Sequence, residues 1–161
     1  HHRFAAEALT PQVAAPHSPA NAANAGAYQG QAIDIAYIGA CTGSKLDDMR
    51  MAARVLRGHK VAKGVTLMLA PASAKDQAQA AAEGTLQALT DAGAELLPNA
   101  CGACAGYGRG FEDDARVIST TARNFKGRMG SPTSRVWLAS PYTVAASALT
   151  GSITDPREHL A

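Results

Sequence analysis

The sequence predicts an α/β domain of three layers, in which a mainly parallel sheet carries helices on both faces. Strand-like apolar segments alternate with helix-like segments along the chain, and this order is typical of right-handed crossovers between parallel strands. No internal repeat competes with that pattern, and 161 residues correspond to about one ordinary domain. We therefore expect one α/β domain in residues 31–161. Residues 1–30 are interpreted as an extended linker, with His1 and His2 as the remnant of an affinity tag.

The first half of the domain supplies two strands and two helices. Residues 10–30 are rich in Pro, Ala, Asn and Gly and show neither a helical nor a strand period. Residues 33–38 then predict a strand, and Ser44 is the expected N-cap of a helix. Residues 65–70 are apolar throughout, which is typical of a strand covered on both faces. Ser73 is the expected N-cap of one long helix that continues to about residue 92.

The second half of the domain continues the alternation. Three strands are predicted, at residues 95–97, 116–120 and 135–139. Ser140 and Pro141 predict the start of a last helix, which Gly151 ends. Because ligands bind beyond the carboxyl ends of the strands in open α/β sheets, we expect the functional site at that edge.

The composition argues against binding to nucleic acid and to membranes. The net charge is +2 and 17% of the residues are charged, so no field of one sign covers the surface. No apolar run approaches the roughly 18 residues of a membrane span, and the first residues lack the apolar region of a signal peptide. We expect a cytoplasmic protein whose small core is rich in the 36 alanines of the chain.

Three cysteines lie in loops at the predicted edge of the sheet. Cys41 follows the first strand, and Cys101 and Cys104 form a C-x-x-C pair in a glycine-rich loop. This spacing allows two sulfurs to reach one metal. Because three cysteines cannot all pair in disulfides, metal or redox chemistry is the leading hypothesis. Three thiolates leave one coordination position open, which fits a 4Fe–4S cluster with one unligated iron.

Other roles for the cysteines stay open at this point. Zinc with three thiolates normally takes a His as its fourth ligand, but the five histidines lie away from the predicted edge. A thiol-redox pair normally opens a helix, whereas residues 105–110 continue as a glycine-rich loop. Two buried thiols without a function are the third alternative. The glycine-rich residues 39–45 and 106–110 match neither a phosphate loop nor a dinucleotide-binding motif.

Several motifs, in this order, resemble the cluster-bearing third domain of the aconitase and 3-isopropylmalate dehydratase superfamily, at the C-terminal end of a large subunit. The motifs are PHSPAN at residues 16–21, IGACTGSKLDDMRMAARVL at 38–56, CGACAG at 101–106, ARNFKGRMG at 122–130 and LASPYTVAASALTGSITDPRE at 138–158. They are distributed over nearly the whole chain, from residue 16 to residue 158. The fold that the resemblance implies is the one that the alternation of elements predicts.

The resemblance implies a ligand set and a reaction. Cys41, Cys101 and Cys104 would bind a 4Fe–4S cluster whose open iron acts on the substrate as a Lewis acid. Arg123 and Arg128 match arginines that bind a substrate carboxylate in the family. The implied activity is that of a hydro-lyase on 3-isopropylmalate or a related di- or tricarboxylate, such as homoaconitate or 2,3-dimethylmalate.

The resemblance also implies partners, and this chain departs from the family at some positions. In the family, the preceding domains of the large subunit and a small subunit or mobile domain complete the active site, so no catalytic residue is assigned to this chain. We therefore interpret the chain as part of a longer or split enzyme and expect it to be inactive alone. Ala40, Gly43 and Ala122 stand where the family usually has Ser, Asn and Asn. The alternative function is a thiol-redox or zinc-binding module that uses the Cys pair without iron.

Overall fold

A computed structural model describes residues 1–3, 5–99, 102–108 and 110–160, and it contains a seven-stranded sheet. The strands are β1 (Gln12–Ala14), β2 (Ala22–Asn24), β3 (Ile35–Ile38), β4 (Thr66–Leu69), β5 (Ala94–Leu96), β6 (Arg116–Ser119) and β7 (Arg135–Ala139). The α-helices are α1 (Leu46–Leu56), α2 (Ala74–Ala82), α3 (Thr85–Ala92) and α4 (Pro141–Thr150). Short 3-10 helices lie at Ala6–Ala8, Ala25–Tyr28, Gly102–Ala105 and Pro156–His159. Within the described residues, none of the helices has the length and apolar character needed to cross a membrane.

The sheet is parallel except at one edge. Its strand order is β2-β1-β7-β6-β3-β4-β5, and the pairs from β7 to β5 are all parallel. β1 pairs antiparallel with both β2 and β7. The predicted α/β fold with a mainly parallel sheet is therefore confirmed, and β3 and β6 lie side by side at its centre.

The α-helices pack on one face of the sheet, which we call the helix face. The core there combines the helix residues Met49, Leu56, Leu89 and Val144 with the strand residues Ile38, Leu67, Leu69 and Ile118. Alternate strand residues point to this face because the side-chain period of a strand is two. Many helix residues in this core are alanines, as the composition predicts.

Loops and one 3-10 helix cover the opposite face, which we call the loop face. Its core contains Tyr37, Met68 and Val117 from the strands, with Phe111 and Met129 from the loops. The third layer thus consists of the 3-10 helix Gly102–Ala105 and irregular segments rather than long α-helices. The connections from β5 to β6 and from β6 to β7 are rich in glycine, which disfavours a continuous α-helix.

The N-terminal segment differs from its prediction. The sequence predicts no strand in residues 10–30, but β1 and β2 form a hairpin there, closed by the Ala15 N–H donating to the Asn21 carbonyl at 2.9 Å. Val13 is fully buried in the core of the helix face. Each of these strands has three residues, which is too short for a period of two to be recognised in the sequence.

The predicted long helix after Ser73 is also corrected. It is two helices, α2 and α3, separated at Glu83 and Gly84. Gly84 has φ +80°, a left-handed conformation that ends an α-helix and that glycine adopts without steric cost. A single glycine within an alanine-rich helical pattern costs about 1 kcal/mol, so the pattern alone does not predict the break.

The helix caps agree with prediction in two places and differ by one residue in a third. The Ser73 hydroxyl accepts the Asp76 N–H at 3.0 Å, and the Ser140 hydroxyl accepts the Thr143 N–H at 3.2 Å. The N-cap of α1 is Lys45 rather than Ser44. The Asp48 carboxylate accepts the Lys45 backbone N–H at 3.0 Å, so the first turn is held by its own acidic residue.

Candidate functional site

A cavity of about 230 Å³ lies beyond the carboxyl ends of β3 and β6. Three loops line it, through Ala40, Cys41, Thr42, Cys104, Ala122, Arg123 and Arg128. Four of the five residues that the sequence predicts for the site therefore line one cavity. The fifth, Cys101, lies outside the described residues. Thr42, Ala40 and Ala122 were not predicted as lining residues, although each is a neighbour of a predicted one.

The Cys41 loop begins with a strained residue. Ala40 has φ +70°, a left-handed conformation that costs an L-residue with a Cβ about 1–2 kcal/mol. The Gly43 N–H donates to the Ala40 carbonyl at 3.3 Å and closes a tight turn around Cys41. The chain thus reverses direction immediately after β3, and Cys41 is left exposed at the cavity.

Cys104 reaches the cavity from the loop face. It lies in the 3-10 helix Gly102–Ala105 and is buried in the core of that face. The loop that follows it is joined to the loop after β6, because the Phe111 N–H donates to the Met129 carbonyl at 2.8 Å and the Ser131 N–H donates to the Phe111 carbonyl at 2.9 Å. Backbone hydrogen bonds therefore join the segment that follows Cys104 to the residues that follow Arg128.

The loop that carries the two arginines is held at its centre by Asn124. The buried Asn124 amide donates to the Ala15 carbonyl at 2.8 Å and to the Val136 carbonyl at 2.9 Å. Arg123 is exposed at the cavity, whereas Arg128 is half-buried. Within the described residues, the Arg128 Nε is buried without a hydrogen-bond partner. A buried guanidinium donor in this state favours an anion in the cavity, because a carboxylate would satisfy it.

The charge at the cavity is positive. Among the described residues that line it, two are arginines and none is Asp, Glu or His. Acidic residues are paired elsewhere: Asp34, before β3, accepts hydrogen bonds from Arg116 at the opposite end of the sheet. The Arg116 guanidinium holds the pKa of the Asp34 carboxyl below its usual range. The site therefore attracts anions and offers no described carboxylate that would repel them.

The side chains at the cavity fit a thiolate-bound metal group. The Cys41 and Cys104 thiols come from separate loops and line the same space, as ligands of one centre must. The described residues contain no group of three His, Cys, Asp or Glu that could hold a metal, and the predicted third ligand, Cys101, is outside them. Cys104 lies in a 3-10 turn rather than in an α-helix opened by the motif, which differs from a thioredoxin-like arrangement.

Comparison with known proteins identifies the family. The family model for aconitase (aconitate hydratase) matches residues 3–151. The chain belongs to the aconitase family. The resemblance inferred from the motifs is thereby confirmed.

Individual relatives agree with this assignment. The chain is 45% identical over 153 residues to 3-isopropylmalate dehydratase large subunit 2 of Archaeoglobus fulgidus. The aligned residues make up 94% of this chain and 37% of that protein. It is 45% identical over 154 residues to the 3-isopropylmalate dehydratase large subunit of Pyrococcus horikoshii, and the aligned residues make up 95% of this chain and 40% of that protein. It is 43% identical over 152 residues to the homoaconitase large subunit of Thermus thermophilus, and the aligned residues make up 94% of this chain and 36% of that protein. The chain thus spans 36–40% of the length of these relatives.

Proposed function

We propose that this chain is the cluster-binding part of a dehydratase large subunit. The activity is the removal of water from, and its return to, 3-isopropylmalate or a related hydroxy acid such as homoaconitate or 2,3-dimethylmalate. The observation that carries the proposal is the single cavity that collects Cys41, Cys104, Arg123 and Arg128 in a chain of the aconitase family. The relatives named above support it, since they are large subunits of 3-isopropylmalate dehydratase and homoaconitase.

The cysteines are assigned to the cofactor. Cys41, Cys101 and Cys104 would hold a 4Fe–4S cluster, with thiolates from two loops. When bound, the cluster supplies an iron that polarises the substrate hydroxyl as a Lewis acid. Of the thiols that would hold the cluster, Cys41 is exposed and Cys104 is buried, so they differ in their access to solvent.

The arginines are assigned to the substrate. The Arg128 Nε is buried and unpartnered in the described part of the chain, and leaving such a donor unsatisfied costs about 1–3 kcal/mol or more. A substrate carboxylate that accepts from this Nε and a terminal nitrogen would remove that cost and fix the substrate's orientation. Arg123, exposed on the same cavity, would bind a second carboxylate of a di- or tricarboxylate.

The proton step requires groups from elsewhere. No described residue that lines the cavity is Asp, Glu or His, and elimination of water needs a base close to the carbon-bound proton. We therefore assign the base to the preceding domains of the large subunit, or to a small subunit or mobile domain that closes over the cavity. The chain alone is expected to bind a cluster without dehydrating substrate.

Anaerobic reconstitution with iron and sulfide tests the cofactor assignment. The wild-type chain should acquire about four irons and the broad absorption of an iron–sulfur cluster. Cys104→Ser should retain no stable cluster after gel filtration, because one thiolate ligand is lost. Its circular dichroism should be unchanged, since the core of the helix face is built from Leu, Ile and Val.

Tyr107→Phe is the matched control, because it changes an exposed side chain in the same loop and removes no thiol. This variant should load iron as the wild-type chain does. Binding of zinc in place of iron, or a reversible Cys101–Cys104 disulfide in a chain that takes up no iron, would reject the proposal and support a zinc or thiol-redox module.

A further inference from the structure

The Thr120 side chain joins the two ends of the loop that carries Cys41. Thr120 follows directly after β6, and its Oγ1 lies 3.0 Å from the Gly39 nitrogen and 2.7 Å from the Gly43 carbonyl oxygen. Gly39 and Gly43 are the residues two before and two after Cys41. One hydroxyl therefore contacts the loop on both sides of the proposed ligand.

The Thr120 hydroxyl has one proton, so it can donate only one of these hydrogen bonds and must accept the other. The Gly39 N–H donates to Oγ1, and Oγ1 donates its proton to the Gly43 carbonyl. The Gly39 carbonyl oxygen is 3.4 Å away, too far to compete well for the proton. Each of the two bonds thus has its own donor and acceptor, and Oγ1 fixes the distance across the turn.

Backbone packing adds to this constraint. A Cβ placed on Gly43 would lie 2.1 Å from the Thr120 carbonyl oxygen, so only glycine permits this approach. The Thr120 N–H donates to the Tyr37 carbonyl at 3.0 Å, which continues the pairing of β6 with β3. The Cys41 loop is therefore held against the central strands of the sheet.

The same short segment supports the arginine loop. The Ser119 hydroxyl donates to Thr121 Oγ1 at 3.0 Å and accepts the Thr121 N–H at 3.1 Å. Ala122 and Arg123, which follow, line the cavity. Residues 119–121 thus set the Cys41 loop and the start of the arginine loop relative to one another.

We propose that Thr120 is a positioning residue, whose hydroxyl holds Cys41 in the place from which its thiolate binds the cluster. The left-handed Ala40 favours relaxation of this turn, and the two bonds to Thr120 oppose it. The inference rests on the proposed cluster-binding function. Groups that orient metal ligands contribute about 10–100-fold to metal affinity, and this sets the size of the expected effect.

Three variants of the 161-residue chain test the inference. Thr120→Val keeps the shape of the side chain and removes both bonds, whereas Thr120→Ser keeps the hydroxyl. Thr90→Val is the matched control, because the hydrogen bonds of the Thr90 hydroxyl within the described residues go to carbonyls of its own helix, α3. The measurements are the rate at which the reconstituted chain loses iron to a chelator, the melting temperature, and the amide hydrogen exchange of Gly39 in the iron-free chain.

Thr120→Val should lose iron about tenfold faster than the wild-type chain or more, and Gly39 should exchange faster. Thr120→Ser should stay close to the wild-type rate, and Thr90→Val should match it even if its melting temperature falls as far as that of Thr120→Val. Iron loss at the wild-type rate in Thr120→Val, or equally fast loss in Thr120→Ser, would overturn the inference. A wild-type chain that binds no cluster would instead reject the proposed function, and the Gly39 exchange would still report on the loop.

Discussion

The two faces of the sheet differ in how they are covered and in what they hold. On the helix face, α1, α3 and α4 bury Ile, Leu and Val side chains of the strands. On the loop face, glycine-rich segments cover the strands and leave cavities of about 340, 200 and 230 Å³, whereas the cavity of about 460 Å³ beside α3 has no strand residue in its lining. The neighbouring residues Met68 and Leu69 of β4 belong to opposite faces. One strand therefore serves both environments.

The helices that stabilise the fold and the loops that form the proposed site are therefore different parts of the molecule. Regular helices satisfy their own backbone hydrogen bonds and bury apolar area efficiently, but their geometry leaves little freedom to place a ligand. Loops can bring Cys41, Cys104 and Arg128 from distant parts of the sequence to one cavity. The cost is strained backbone, such as the left-handed Ala40, and incomplete packing around the site. Substitutions on the two faces should consequently have different effects.

The largest predicted effect is on the free energy of unfolding, and it should differ between alanine variants of Leu69 and Met68, which are neighbours in β4 and lie on opposite faces. Leu69→Ala should lower the free energy of unfolding by about 3–5 kcal/mol, because it removes a fully buried side chain among packed helices. Met68→Ala should cost less, about 2 kcal/mol, because Met68 borders two cavities into which the surroundings can relax. Urea unfolding of both variants measures the values. Equal losses, or a larger loss for Met68→Ala, would contradict the separation of the two faces.

The sequence predicts elements with a strong local pattern better than elements that depend on a distant partner or on one backbone conformation, and the reason is physical. Apolar periodicity and caps are local, so the strand at Arg135–Ala139 and the helix from Pro141 to Thr150 agree with prediction. β1 of the β1–β2 hairpin pairs with β7, and this partner lies more than 100 residues away in the sequence, so no local pattern reports the pairing. Gly84 separates two helices through its left-handed backbone, which an alanine-rich pattern does not reveal.

The candidate site was partly predictable for a related reason. Cys41, Arg123 and Arg128 follow predicted strands, and the carboxyl ends of parallel strands share one edge, so their convergence could be expected. The sequence did not indicate Thr120, because its hydroxyl acts on residues 77 and 81 positions away. Contacts of that kind depend on the register between β3 and β6, which no local pattern encodes.

A smaller effect, seen in activity rather than stability, is expected at Arg128 on the loop face. In the assembled dehydratase that we propose, Arg128→Lys should lower kcat/KM by about tenfold or more, equivalent to about 1.4 kcal/mol, because Lys keeps the charge but loses the forked donor. Cluster content should be unchanged. Arg54→Lys, on the exposed side of α1, is the control and should have wild-type kinetics. Wild-type kinetics for Arg128→Lys as well would remove Arg128 from the substrate site.

The smallest effect is expected at the outer surface of the helix face, where an ion pair joins α1 to the break between α2 and α3. Arg50 donates to Glu83 from Nε at 2.9 Å and from Nη2 at 2.6 Å. The Arg50 guanidinium, helped by the Thr85 hydroxyl, lowers the pKa of Glu83 from 4.5 to about 2. Since the folded-state pKa is lowered, the stabilisation is fully present above pH 4.5 and is lost as the pH falls from 4.5 towards 2.

Glu83→Gln should therefore lower the melting temperature slightly at pH 7, and the difference from the wild-type protein should shrink as the pH falls through this window. Because the pair lies at the surface, high salt should reduce the difference at pH 7 as well. Glu112→Gln, which changes an exposed carboxylate on the loop face, is the matched control. Thermal melts of both variants between pH 2 and 7 provide the measurement. A difference for Glu83→Gln that persists unchanged at pH 2 would show that hydrogen bonding by the side chain, rather than its charge, joins these helices.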